Sequence, residues 1–141
     1  SPEHGRRLHD LDLGEHVRVG IAVQEAVTNA IVHGNLEVSS DLKADGWEVY
    51  HGAIAERRQQ LPYSARRVTV VMRAERRREF SVRIADQGPG FDVSALPDPT
   101  DPENILKGCG RGMLMIRSFF DVVEHNPKGN EITMTKRTAS G

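Results

Sequence analysis

Cysteine is almost absent from this sequence: Cys109 is the single one, so no disulfide can form within the chain. Few cysteines are typical of proteins of the reducing cytoplasm, and we expect that location. No apolar run approaches the roughly 20 residues that a membrane helix needs. The first ten residues also lack the apolar segment of a signal peptide. These absences predict a cytoplasmic protein that does not enter a membrane.

The sequence also lacks an excess of charge of either sign. With 19 basic and 20 acidic residues, its formal net charge is −1. This balance gives no general electrostatic reason to bind nucleic acid or an anionic membrane, and we expect neither as a partner. Residues 66–78, "RRVTVVMRAERRR", are a local exception. We interpret these arginines as the exposed face and turn of a hairpin, with a docking patch for an acidic partner as the alternative.

The first half of the chain is predicted to be helical. Its 141 residues, 38% of them hydrophobic, suffice for one domain spanning residues 1–141. Residues 16–35, "HVRVGIAVQEAVTNAIVHGN", predict a helix closed by Gly34. A weaker helical segment over residues 42–61 is interrupted by Gly46 and Gly52 and ended by Pro62. The predicted core face of the first helix consists of Val19, Val23, Ala26, Val27 and Ala30.

The second half of the chain predicts two hairpins. Residues 66–74 and 79–86 alternate around a charged turn, and "DVVEH" and "EITMTKR" flank the turn "NPKGN". Between the hairpins, residues 91–112 form a long connection without apolar periodicity, followed by the short helix "MLMIRSFF". The order predicts an α+β two-layer sandwich, in which helices cover one face of a mixed, mostly antiparallel sheet.

A polar stripe runs along the first predicted helix. Glu25, Asn29 and His33 are spaced i, i+4 and i+8, on the side opposite the core face. The apolar residues Ile21, Ala22 and Val32 interleave with this stripe and predict that it is covered rather than freely solvated. The carboxylate of Glu25 and the amide oxygen of Asn29 are hard oxygen groups suited to Mg²⁺ or to a water near it. Taken alone, such a pair is more often an ordinary polar edge. A lone His33 is more often a helix-end histidine that makes one hydrogen bond.

The stretch "DQGPGFD", residues 86–92, follows directly on a predicted strand. The period of two places Asp86 on the face of Val82 and Ile84, which the fold would bury. A buried carboxylate needs a hydrogen-bond donor, and the exocyclic amine of a purine would supply one. Gly88 and Gly90 would let a flat ligand approach the main chain closely. Taken alone, the stretch is an ordinary turn.

Three glycines precede the third predicted helix, in "GCGRGMLMIRS". Amide N–H groups at a helix start favour anions, which makes Gly108, Gly110 and Gly112 a candidate phosphate cradle. Arg111 would add positive charge. By itself the pattern is a weak signal, since glycine-rich lids also serve as hinges.

The order of the three motifs resembles a known family. "EAVTNAIVHGN", "DQGPGFD" and "GCGRGM" resemble the three nucleotide boxes of the GHKL (Bergerat-fold) ATPases. "QEAVTNAIVHGN" and "GRGMLMIRSFFDVVEHNPKGNEITMTKR" resemble the anti-sigma-factor serine/threonine kinase branch. The resemblance covers residues 16–137 and implies ATP and Mg²⁺ as cofactors. It also implies a flexible ATP lid, which we expect to be open or poorly ordered over residues 92–109 without nucleotide.

The resemblance implies a role for each matching residue. Glu25 takes the place of the general base, or of the group that orients the nucleophile, and Asn29 that of the Mg²⁺ ligand. Asp86 falls where the family accepts a hydrogen bond from the adenine amino group, with Gly88 and Gly90 as the floor beside the base. The candidates for phosphate contacts are Gly108, Gly110, Gly112, His33 and Arg111.

The implied function is that of an ATP-dependent protein serine/threonine kinase. It would transfer the γ-phosphate to a serine or threonine of a STAS-type anti-sigma-factor antagonist, with a sigma factor as a further partner. Two alternatives stay open: a non-catalytic ATP-binding interaction module, and the catalytic domain of a sensor histidine kinase. A homodimer is compatible with each of these.

Two departures from the family pattern bear on the rest of the protein. Members of this fold usually carry a strand and a helix ahead of the first box, where about 15 residues stand here. We interpret the chain as a fragment or one domain of a longer protein, or as one that relies on another chain there. Residues 36–65 are longer than a minimal anti-sigma kinase needs. This variant resembles ATPase domains fused to a receiver or phosphatase domain.

Overall fold

The fold contains three α-helices and four strands in the part of the chain that the computed structural model describes, which is residues 13–75, 79–95 and 111–137. The helices are α1 (Leu13–Asn29), α2 (Trp47–Arg57) and α3 (Arg111–Phe119), and α1 continues as a π-helical turn over Ala30–Asn35. The strands are β1 (Thr69–Glu75), β2 (Glu79–Ala85), β3 (Val122–His125) and β4 (Glu131–Arg137). Short 3₁₀ turns cover Ser40–Asp45, Tyr63–Ala65 and Val93–Ala95.

The strands form one sheet in the order β1-β2-β4-β3, and each pairing between the described strands is antiparallel. Both predicted hairpins are confirmed. In the central pair, Val82 lies opposite Met134 and Ile84 lies opposite Ile132, and all four side chains are buried. The opposite face is polar and carries an ion pair between Arg83 and Glu131. The predicted two-layer α+β sandwich is therefore confirmed.

The main core lies between this buried sheet face and the helices α1 and α3. Ala22 is 0% exposed and belongs to this core, although it lies within the arc of the Glu25–Asn29–His33 stripe. The stripe therefore borders the core face, and the prediction that it lies opposite that face was wrong. The buried members of the core are Val19, Ala22, Ala26, Ala30, Val82, Ile84, Ile116, Phe120, Ile132 and Met134.

A second, smaller core attaches residues 36–57 to the end of α1. It consists of Val32, Leu36, Val38 and Tyr50. Gly46 separates a 3₁₀ turn from α2 with a φ of 113°, as the break predicted there requires. Gly52 lies inside α2 without interrupting it, and α2 ends at Arg57, ahead of Pro62.

The strand β1 lies at one edge of the sheet and is poorly covered. Val70 and Met72 pair with the buried Ile84 and Val82 of β2, yet both are exposed, Met72 by 65%. The main core extends over β2 and β4 and leaves the inner face of β1 open. Within the described ranges, no helix combines the length and apolarity needed to cross a membrane.

Candidate functional site

The helix α1 contacts both of the other predicted nucleotide motifs. Near its middle, the side chain of Glu25 lies against Gly112 in the first turn of α3: a Cβ on Gly112 would stand 2.8 Å from Cδ of Glu25. At its end, a Cβ on Gly34 would stand 2.5 Å from Cγ of Asp86. The structure thus brings together residues from three segments that are far apart in the sequence.

The π-helical turn at the end of α1 brings Gly34 into contact with Asp86. The N–H of Leu36 donates to the carbonyl of Ile31, five residues earlier, over 2.9 Å, which is the widened spacing of a π-helix. Gly34 lies inside this turn, and its φ is outside the left-handed region that a glycine cap adopts. A glycine is needed here because the carboxylate of Asp86 occupies the place of a side chain.

The polar stripe of α1 is half-buried at Glu25, Asn29 and His33. The ring nitrogen Nδ1 of His33 lies 2.6 Å from the carbonyl oxygen of Val38. Because a carbonyl only accepts, Nδ1 carries the hydrogen and donates it. His33 therefore makes the hydrogen bond of a helix-end histidine, with Nε2 left for a further contact.

Asp86 lies where the sequence predicted it, just after β2 on the face that carries Val82 and Ile84. It is half-buried, and its N–H donates to the carbonyl of Asn130 over 2.9 Å. Burial raises the pKa of its carboxyl group above the ordinary value. Three weaker effects oppose this rise: the hydrogen bond from the N–H of Gly88 to Oδ1 (2.8 Å), and the charges of Arg66 and Lys128.

The two glycines of the Asp86 turn face different neighbours. A Cβ on Gly88 would overlap the carbonyl of Gly34, so this glycine lets the turn lie against the end of α1. Gly90 has a φ of 79°, and a Cβ there would overlap the carbonyl oxygen of Lys128. That same oxygen accepts a hydrogen bond from the N–H of Phe91 over 3.0 Å. Gly90 thus fastens the turn to the β3–β4 connection.

Neither the role of Asn35 nor the burial of Arg66 is predicted by the sequence pattern. Asn35 is 3% exposed, and its Oδ1 accepts a hydrogen bond from the N–H of Gln87 over 2.7 Å. Arg66 was assigned to the exposed face of the hairpin, but its side chain is only 19% exposed. Its guanidinium donates to the carbonyl of Asn35 over 2.8 Å and pairs with Glu37 over 2.7 Å. No periodicity marks either residue, because both depend on contacts between distant segments.

The burial of Tyr50 in α2 is likewise not predicted by the sequence pattern. Its side chain is buried in the smaller core, and burial together with the nearby charge of Glu25 raises the pKa of its hydroxyl.

The third motif is only partly described. Gly108 and Gly110 lie outside the described residues, and so does most of the predicted lid, residues 92–109. Arg111 begins α3, and its side chain is likewise outside the described part. Gly112 is the third-motif glycine that the structure places, next to Glu25.

The described residues fit an adenine nucleotide. Asp86 offers a desolvated carboxylate to a donor such as the adenine amino group, and Gly34 and Gly88 let the end of α1 pack directly against the turn that carries this carboxylate. The start of α3, next to Glu25, has the N–H groups and dipole that favour a phosphate. The Asp86 turn therefore suits the adenine of ATP, and the start of α3 suits its phosphates.

Comparison with known proteins agrees with this chemistry. The family model of the histidine kinase-like ATPase domain matches residues 3–136. No curated protein and no solved structure matches the chain significantly. Because the family model spans nearly the whole sequence, this chain belongs to the histidine kinase-like ATPase family of GHKL type and is an ATP-binding domain.

Proposed function

We propose that this domain is a protein serine/threonine kinase of anti-sigma-factor type, which transfers the γ-phosphate of ATP to a STAS-type antagonist. The observation that carries the proposal is the contact of Glu25 with Gly112 at the start of α3. This contact supports the proposal, because a phosphate bound at the start of α3 would lie beside a carboxylate, the group that could accept the proton of a hydroxyl nucleophile. Asp86 lies against the far end of the same helix, where the base would bind.

At the base end, the adenine amino group would donate to Asp86. The N–H of Gly88 already occupies Oδ1 of that carboxylate, so Oδ2 is the oxygen proposed to accept the second hydrogen bond. Gly34 and Gly88 would fix the direction of this carboxylate, because they let the end of α1 lie directly against the Asp86 turn. Desolvation of Asp86 supports this assignment, because a half-buried carboxylate gains most from a donor supplied by the ligand.

At the phosphate end, charge neutralisation is the main requirement. The amides in the first turn of α3, including that of Gly112, would bind phosphate oxygens. Within the described residues, no group of three or more His, Cys, Asp or Glu side chains could enclose a metal. Mg²⁺ commonly binds through one or two protein oxygens together with phosphates and water. Asn29 would supply such an oxygen, and the ion would neutralise charge on the triphosphate.

Transfer of the γ-phosphate depends on how the protein positions the reactants more than on covalent chemistry by the protein. The hydroxyl oxygen of the partner's serine or threonine would attack the γ-phosphorus while Glu25 accepts its proton. The bond from that phosphorus to the β,γ-bridging oxygen breaks, and ADP leaves. The partner then carries about −1.5 to −2 additional charges, which can reverse its association with the kinase.

The wider regulatory role belongs to the same proposal. The antagonist would compete with a sigma factor, and a receiver or phosphatase domain fused to this one would control the exchange in the cytoplasm. The length of residues 36–65 supports a specialised regulatory variant.

The test combines binding with phosphate transfer. Glu25→Gln should bind Mg·ATP like the wild type and lower transfer to a STAS-domain protein by about 10²- to 10⁴-fold, the contribution typical of a general base. Glu48→Gln, an exposed substitution on α2, is the matched control and should leave both unchanged. Wild-type transfer by Glu25→Gln contradicts the role of Glu25. ATP binding by the wild type without transfer to any serine or threonine identifies a non-catalytic module instead.

A further inference from the structure

Three consecutive N–H groups of the Asp86 turn have three different acceptors. The N–H of Asp86 donates to the carbonyl of Asn130 on the sheet side, and that of Gly88 donates to Oδ1 of Asp86 itself. The N–H between them, that of Gln87, donates to Oδ1 of Asn35 at the end of α1 over 2.7 Å. This hydrogen bond connects the segment that carries Asp86 directly to the helix that carries Glu25.

Asn35 is itself held in place. It is almost completely buried, and its carbonyl accepts a hydrogen bond from the guanidinium of Arg66 over 2.8 Å. The guanidinium of Arg57 donates to the next carbonyl, that of Leu36, over 2.9 Å. Both guanidinium groups lie over the ring of Tyr63, at 5.2 Å for Arg66 and 4.4 Å for Arg57. The end of α1 is thus capped by two arginines that share one aromatic ring.

Gln87, the donor of the hydrogen bond to Asn35, is held by the residue next to Arg66. The side-chain oxygen Oε1 of Gln87 accepts a hydrogen bond from the backbone N–H of Arg67 over 2.7 Å. Adjacent residues thus hold both partners, since the side chain of Arg66 fixes Asn35 and the backbone of Arg67 fixes Gln87. Loss of the bond between Asn35 and Gln87 would free the Gln87 peptide to rotate, and the neighbouring Asp86 and Gly88 would lose their alignment.

We propose that Asn35 is a positioning residue for nucleotide recognition, which aims the carboxylate of Asp86 through the N–H of Gln87, with Arg66 holding Asn35. The inference rests on the proposed contact of Asp86 with the adenine amino group. Asn35 is 3% exposed and its Oδ1 is occupied by the N–H of Gln87, so its effect would pass through Asp86. Its removal therefore weakens the one contact that reads the amino group and spares the phosphate contacts.

Comparing the affinities for two ligands distinguishes this positioning role from a general structural role of Asn35. ATP carries the adenine amino group, whereas purine riboside triphosphate lacks it and keeps the rest of the molecule. Asn35→Ala should weaken ATP binding about three- to tenfold, as expected for one hydrogen bond, and change binding of the purine analogue less than twofold. In the Asp86→Ala background, the same substitution should change neither affinity, because the coupling is already lost. Isothermal titration calorimetry measures all of these constants.

The controls keep the outcomes distinct. Gln24→Ala, an exposed polar substitution on α1, should leave both affinities unchanged. If circular dichroism shows that Asn35→Ala does not fold, Arg66→Lys takes its place in the same two titrations and should likewise weaken ATP binding more than binding of the purine analogue. Arg83→Lys on the open sheet face is its matched control and should leave both affinities unchanged. Equal weakening of both ligands, or no change in either, overturns the positioning role. Wild-type protein that binds ATP and the purine analogue equally well contradicts the proposed role of Asp86 instead.

Discussion

The carboxylate of Asp86 lies flat against the backbone of Gly34. A Cβ on Gly34 would stand 2.5 Å from both Cγ and Oδ2 of Asp86 and 2.7 Å from Oδ1, so the whole carboxylate covers the place where a side chain would be. The helix end and the turn after β2 are therefore complementary at atomic contact. This contact makes Gly34 as necessary to the geometry of the base end as the residues that would touch the ligand.

Gly34→Ala should abolish tight ATP binding without unfolding the protein. The added methyl group displaces the Asp86 carboxylate, while alanine is compatible with the helical backbone at this position. We expect ATP affinity to fall at least about tenfold, by analogy with the loss of a hydrogen bond to a charged group. Calorimetric titration measures the affinity, and a thermal melt checks the fold.

Gly20→Ala is the matched control for this substitution. Gly20 lies on the same helix, and a Cβ there would have no atom within 4 Å. Alanine should therefore stabilise the protein by about 0.5–1 kcal/mol and leave ATP binding unchanged. Equal ATP affinities for the two alanine variants would show that Asp86 does not need its place against Gly34.

The raised pKa of Asp86 predicts opposite pH dependences for ligand binding and stability. The carboxylate must be ionised to accept a hydrogen bond from adenine, so ATP affinity should rise with pH through the raised pKa. The folded protein binds this proton more tightly than the unfolded chain does. Stability without ligand is therefore highest below the unfolded pKa and decreases as pH rises through the folded pKa. Titrations and urea melts across the acidic range measure both trends.

Asp86→Asn should remove both trends at once. The hydrogen bond from Gly88 requires an oxygen at the position of Oδ1, so the amide would turn its NH₂ group toward the adenine amino group. ATP binding should weaken, while stability at neutral pH should stay equal or increase because no charge is desolvated. A variant that keeps the wild-type pH profile would assign the titration to another group.

Gly112→Ala should impair phosphate transfer more than ATP binding. A Cβ at this position would overlap Oε1 of Glu25 and push the proposed base out of place. Misplacement of a catalytic group by about 1 Å can cost about 10²-fold in rate. We expect a fall of that order in kcat with less than about a threefold change in the dissociation constant of Mg·ATP. Gly52→Ala on α2, where a Cβ would have no atom within 4 Å, should change neither. A kcat that stays at the wild-type level would contradict the importance of the Glu25–Gly112 contact.

The sheet offers a matched pair of methionines that tests the fold. Met134 of β4 is 0% exposed, and Met134→Ala should lower the free energy of unfolding by about 2–5 kcal/mol. Met72 of β1 lies on the same sheet face but is 65% exposed, and Met72→Ala should cost less than about 0.5 kcal/mol. Similar costs for both, measured by urea unfolding, would mean that β1 is covered as well as β4.

The sequence allowed prediction of features that follow from periodicity. Alternation in β2 correctly placed Asp86 on the buried face with Val82 and Ile84, and both hairpins and the helix layer followed from pattern and turn residues. The i, i+4 spacing puts Glu25 and Asn29 one turn apart on α1, and their joint role at a metal stays a prediction. The position of the polar stripe relative to the core face of α1 was predicted less well. Ala22 is small and apolar, so the sequence does not show whether it belongs to the core or to a covered border of the core.

Contacts between distant segments could not be predicted in this way. Fifty-two positions separate Asn35 from Gln87, and nothing local marks either as a hydrogen-bond partner. Gly34 resembled a helix-closing glycine, although it is required by the approach of Asp86. Arg66 resembled a solvated arginine because its acceptor is a backbone carbonyl, which no sequence pattern identifies.

The two contacts made by the α1 helix, that of Glu25 with Gly112 and that of Gly34 with Asp86, lie a defined distance apart along the helix. Glu25 and Gly34 are nine residues apart on α1 and the π-helical turn that continues it, roughly 13.5 Å at the α-helical rise of 1.5 Å per residue. A ligand that binds at both contacts, as proposed, would have to span this distance as well as carry the right groups at its ends. A single residue inserted between them would rotate one contact relative to the other by about 100°. In the proposed arrangement, the length of helix between the two contacts would set the length of nucleotide that can reach both.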